Sequence, residues 1–154
     1  MSDAERRNLL AHFREEAEEH VDLLLKSLLG LEALPGDDRV VEDMLRRAHN
    51  LKGAAKLVGG AALERLTHAF ETILSEVRAK RLAPGHDVVD ALLESVDAMR
   101  NALERLMAGQ SQEGSEDVVS RLLSLAASAP GIDDRLATLL PGLDPEIRDV
   151  LTEF

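Results

Sequence analysis

Apolar residues recur at three- and four-residue steps over most of the chain, and no stretch keeps the two-residue alternation of a strand for long. A first helix is predicted to begin at Ser2 or Asp3, where Ser2 and Glu5 have the spacing of a capping box. Its apolar positions are Leu9, Leu10, Phe13, Ala17, Val21, Leu24, Leu25, Leu28 and Leu31. Pro35-Gly36-Asp37-Asp38 breaks this pattern and supplies a new N-cap. A second helix is predicted over about 39–58, with Val41, Met44, Ala48, Leu51, Ala55 and Val58 as its seam. Gly59-Gly60 ends it, because glycine takes the left-handed stop at little steric cost. The third helix starts near Ala61, buries Leu63, Leu66, Phe70, Ile73 and Val77, and ends before Pro84-Gly85. The fourth covers about 86–107, with Val89, Leu92, Leu93, Val96, Met99, Leu103 and Leu106 inward. A polar loop of small residues, 108–114, leads to a fifth helix over about 115–128. Long amphipathic helices joined by short turns predict an all-α fold, an antiparallel four-helix bundle with an additional C-terminal helix.

The pattern also divides the chain. Residues 1–130 read as one helical domain and 131–154 as a linker that runs into a new helix start at Asp144-Pro145-Glu146. Residues 144–154 repeat the beginning of the chain: Asp144, Glu146, Arg148, Leu151 and Phe154 match Asp3, Glu5, Arg7, Leu10 and Phe13. One reading is a second copy of the same module, cut within its first helix. The other is chance likeness between two amphipathic helix starts.

Composition narrows the chemistry. The chain of 154 residues has 18 basic and 29 acidic side chains, a net charge of −11, and no Cys, Trp or Tyr. Disulfides, thiolate metal sites and cysteine nucleophiles are excluded. The acidic balance and 2% aromatic content argue against a nucleic-acid partner, which needs clustered cations and stacking surfaces. No apolar run approaches the ~18 residues that span a bilayer, and the N-terminus has no secretory h-region. The expectation is a soluble, cytoplasmic protein with no membrane insertion.

Charge is not spread evenly. Residues 44–63 contain no Asp or Glu but do contain Arg46, Arg47, Lys52 and Lys56, with His49 among them. At about 100° per residue, His49 falls off the apolar seam, on a face shared with Lys52, Lys56 and Gly53. An imidazole there could carry a phosphoryl group, being nucleophilic near neutral pH. Lys52 and Lys56 would offset the added negative charge. Gly53 costs about 1 kcal/mol relative to Ala inside a helix, and close approach of a partner would explain it. The bland alternative is an ordinary surface histidine beside a tolerated glycine. On the third helix His68 and Glu71 are three residues apart and share one face. In an antiparallel pair that face can meet His49, so Glu71 could fix the tautomer of its ring. The alternative for this pair is a solvated helix face.

The run Ala48-His49-Asn50-Leu51-Lys52-Gly53-Ala54-Ala55-Lys56-Leu57-Val58-Gly59 resembles the signature of histidine phosphotransfer (HPt) domains. It is most similar to the N-terminal phosphoacceptor domain of bacterial CheA-type chemotaxis histidine kinases, a likeness that covers about residues 5–128. The acidic opening Phe13-Arg14-Glu15-Glu16-Ala17-Glu18-Glu19 resembles that family's first helix as well. The resemblance implies that His49 is the phosphoacceptor and that Lys52 neutralises phosphate. It implies that Gly53 gives access to partners, that Glu71 bonds the non-phosphorylated ring nitrogen, and that His68 completes a network with Lys52. It also implies two partners: an ATP-binding kinase domain of the same protein, and the receiver domain of a response regulator. The departures are Asn50 and Ala54, where the family has Ser and Gly or Ser, and the absence of aromatic residues around Gly59. They bear on partner choice more than on chemistry.

No Walker-type glycine loop with its Lys is present, so the segment is expected to bind no cofactor, ATP being used elsewhere, and to be a carrier rather than a catalyst by itself. Two other readings compete with this one. A carboxylate-bridged metal bundle needs Glu-x-x-His motifs, and no His here has Glu three residues before it. A phosphorylation-independent helical adaptor remains the alternative.

Overall fold

The computed structural model describes residues 2–33 and 36–129. Five helices follow one another: α1 (Asp3–Ala33), α2 (Asp38–Leu57), α3 (Ala61–Arg78), α4 (His86–Met107) and α5 (Glu116–Ala127). Each boundary lies within a residue or two of the sequence expectation where one was given. The tail 131–154, with its linker and repeated helix start, lies outside the described residues.

Local chemistry sets the helix ends. The Ser2 hydroxyl accepts the backbone N–H of Glu5, which is one half of the expected capping box. Asp37 is the N-cap of α2, its carboxylate accepting the N–H of Arg39 at 3.1 Å. Gly59 takes φ +76° after α2, so the left-handed stop falls on a residue without a Cβ to clash. α3 stops six residues before Pro84. There Lys80 takes φ 63°, and Arg81 clamps back onto Glu76 through two hydrogen bonds.

The four long helices close a ring in which α1 packs on α2 and α4, and α3 packs on α2 and α4. Between them lie Phe13, Val21, Leu24, Leu28 and Leu31 of α1, Met44 and Leu51 of α2, Leu66, Phe70 and Ile73 of α3, and Leu92 and Met99 of α4. Removing a side chain such as Phe70, fully buried, would cost about 3–5 kcal/mol. Two hydroxyls inside this core, Thr67 and Ser95, are satisfied by carbonyls of their own helices.

α5 docks on α3 and α4 through buried Leu122 and Ala126. It is pinned by an Arg121–Glu94 ion pair. The loop before it is tied to α3, where Gln112 accepts the N–H of Ala62 and its carbonyl accepts Arg65. The fifth helix therefore forms one wall of the domain.

Six apolar positions sit further out than the periodicity implies. Leu9 is 41% exposed, and Leu10, Leu25, Val58, Leu93 and Leu106 are half-buried. At 1.5 Å per residue α1 is about 46 Å long, whereas the facing helices of 20 and 22 residues reach about 30–33 Å. The first turns of α1 overhang its neighbours, and Phe13 is its first buried residue.

Candidate functional site

α2 buries Val41, Met44, Ala48, Leu51 and Ala55, which turns the intervening positions outward. His49 follows a fully buried alanine, and its own side chain is 71% exposed. α3 runs antiparallel beside it and places Glu71 opposite. Glu71 Oε2 lies 3.5 Å from His49 Nδ1, and its Oε1 lies 3.1 Å from the Lys52 ammonium. The carboxylate is largely covered, while the ring it faces is not. Oε1 is buried without an aligned hydrogen-bond donor, so Lys52 acts as a counter-charge rather than a formed hydrogen bond.

This geometry divides the two ring nitrogens. Nδ1 faces an anion, which favours a proton on that atom. The Nε2 lone pair is then left unused, on a ring open to solvent. Two of the expected residues, Lys52 and Glu71, thus meet at His49.

The others lie around the same face. An added Cβ on Gly53 would meet nothing within 4 Å, so no internal contact requires glycine there. Gly60 contrasts with it, because a Cβ there would come 3.1 Å from Leu106. His68 is exposed on α3, one turn before Glu71, and its ring makes no hydrogen bond or ion pair among the described residues. It shares a groove with Lys52, Gly53 and Lys56, with no direct bond between the ring and either ammonium.

The structure also redraws the local charge. Asp43, the residue just before the acid-free stretch, bonds Arg46 at 2.7 Å and Arg47 at 3.0 Å. Burial works to raise the Asp43 carboxyl, but hydrogen bonds from Arg47 and Arg46 outweigh it and hold it below the usual carboxylate range. Both arginines are therefore spoken for, which leaves Lys52, beside Glu71, and Lys56 as the other cations of this stretch. The signal was the three- and four-residue spacing of Asp43 from the two arginines. α5 also contributes Val119 and Leu123 to the groove, which sequence reading did not anticipate.

The bundle thus presents the His49 imidazole on an open face, backed by a carboxylate with its own counter-charge. A family model, the Hpt domain, matches residues 8–109. The chain belongs to the Hpt domain family. The chemotaxis protein CheA of Treponema pallidum is 35% identical over 143 residues, 90% of this chain and 18% of that protein. CheA of Listeria monocytogenes is 33% identical over 120 residues, 78% of this chain and 19% of that protein. A gliding motility regulatory protein of Myxococcus xanthus is 29% identical over 130 residues, 84% of this chain and 16% of that protein. The chain thus spans less than a fifth of the length of these relatives. In fold it is similar to the phosphorylated P1 domain of CheA3 from R. sphaeroides, solved in complex with CheY6. The TM-score is 0.73 at 24% identity, covering 80% of this chain and 99% of that one. Among the described residues, no helix is long and apolar enough to cross a membrane.

Proposed function

We propose that this chain is the phosphoacceptor module of a two-component signalling kinase, with His49 as the residue that carries the phosphoryl group. The observation that carries this reading is the pairing of an exposed His49 ring with Glu71 at Nδ1, beside Lys52.

In the proposed first step the Nε2 lone pair attacks the γ-phosphorus of ATP held by a kinase domain. The N–P bond forms as the P–O bond to ADP breaks, and ADP leaves with that electron pair. The ring gains positive character, which the Glu71 carboxylate stabilises through the Nδ1 proton. Lys52 balances Glu71 beforehand and can then turn toward the phosphoryl oxygens. In the second step a carboxylate oxygen of a receiver-domain Asp attacks phosphorus, and the N–P pair returns to Nε2. Gly53 keeps the approach clear for both partners, and Lys56 adds positive charge along it. His68 is a further donor on the same face.

The kinase domain belongs to the same polypeptide in this reading, which fits the greater length of the relatives. The setting is cytoplasmic, with no cofactor held by the segment itself. The test is incubation with the cognate kinase and ATP. An acid-labile phosphoryl adduct that disappears in His49→Gln is expected, and an adduct that survives this substitution refutes the assignment.

A further inference from the structure

We propose that the groove between α2, α3 and α5 is where the kinase domain docks, and that the element it receives is acidic with one apolar anchor. This rests on the phosphoacceptor reading of His49. The groove is lined by Lys52 and Lys56 from α2 and by Arg65 and His68 from α3, with Glu64 as the one carboxylate. In a chain of net charge −11, the three cations Lys52, Lys56 and Arg65 beside a single carboxylate run against the general trend. A patch of one sign attracts and orients a surface of the other. The apolar part comes from Val119 and Leu123 on α5 together with Ala61 and Ala69 of α3, and Leu123 is 41% exposed.

The groove adjoins the acceptor without covering it. Lys52, Gly53 and Lys56 lie one to two helical turns beyond His49, about 5–11 Å along the axis. Lys52 therefore touches both places, being paired to Glu71 under the ring and partly exposed along the groove wall. An element seated there leaves the open side of the ring free for a nucleotide. α5 turns a flat pair of helices into a groove, and the Arg65–Gln112 and Arg121–Glu94 contacts hold it in place.

The weakness of the individual contacts selects the occupant. Exposed ion pairs contribute on the order of 0–1 kcal/mol each, and two aliphatic side chains add little area. Such a site fills when its partner is held at high local concentration, on the order of millimolar for a tethered module. A kinase domain on the same polypeptide meets that condition, whereas a freely diffusing receiver does not.

Two variants test this in opposite directions. Leu123→Glu places a negative charge on the rim, and Glu64→Lys removes the carboxylate from the lining. The full-length polypeptide carrying His49→Gln serves as the kinase, and this chain is its substrate in trans. Leu123→Glu is expected to raise KM for phosphorylation about tenfold, and Glu64→Lys to lower it about threefold, both effects shrinking at high salt. Transfer from the phosphorylated chain to a receiver should change less than twofold. A gain in Glu64→Lys cannot come from misfolding. An unchanged KM in both variants overturns the proposal, and so does an equal or larger change in the receiver step. An adduct that persists when this chain itself carries His49→Gln would instead refute the acceptor assignment, independently of the groove.

Discussion

The α1–α4 side of the bundle and the α2–α3 side are built from the same kinds of residue, yet they treat their charges differently. Between α1 and α4, Arg14 pairs with Glu18 at 3.0 Å and Arg100 with Asp22 at 2.9 Å, around Val21, Leu103 and Met107. Across α2 and α3, Lys56 and His68 have no ion pair among the described residues, Glu71 keeps an oxygen without an aligned donor, and Gly53 faces open space. On the first surface these charges pair with one another, and of its charged lining Glu104 alone has no ion pair among the described residues. The second holds donors, an anion and free volume in reserve, all within reach of one exposed imidazole. In the proposed reading, the surface that acts is the one that leaves groups unsatisfied.

The largest effect that would sharpen this contrast is expected at Glu71. Glu71→Gln keeps the shape but removes the anion facing Nδ1, and the phosphorylation rate of His49 should fall at least tenfold. Arg100→Ala, on the other side, should leave that rate unchanged. Initial rates with the kinase and ATP compare the two, and a shifted pH profile in Glu71→Gln would mark a positioning role. Equal rates in both variants would break the contrast.

Next in size are the glycines. Gly53→Ala should raise stability by about 1 kcal/mol, because the space is open and alanine favours the helix. The same change should slow phosphorylation. Gly59→Ala should lower stability by about 1–2 kcal/mol, since its φ of +76° is a costly conformation for an L side chain. Denaturant melts report both signs.

Smaller still is Asp22→Asn. It breaks an exposed pair and should cost under ~1 kcal/mol, less at high salt.

The last effect concerns pH. The hydrogen bond from Arg81 holds the Glu76 carboxyl below its ordinary value of 4.5. Its folded pKa is depressed, so its contribution is complete above the unfolded value and is lost as pH falls through the folded one. Acid titration of stability below about pH 4.5 should be shallower in Arg81→Ala.

Much of this was legible in the sequence because it depends on local rules. The three- and four-residue apolar steps gave all five helices, and Ser2, Asp37 and Gly59 marked their ends by chemistry that acts within four residues. Leu9 and Leu10 read as inward because periodicity records a face and not where the neighbouring helices stop. The charge around His49 was overcounted because Asp43 lies one residue outside the acid-free stretch, yet quenches both arginines. The Glu71 contact could be foreseen as a shared face, while its distances needed the packing of two helices. The groove wall from α5 was invisible, since it joins residues fifty or more positions apart.

The most direct test of the account is nuclear magnetic resonance of the chain labelled with nitrogen-15 in its histidines and phosphorylated by its kinase. One-bond coupling between phosphorus and Nε2 of His49, with Nδ1 still protonated, is the predicted result. Phosphorus on Nδ1, or on any other histidine, would contradict it.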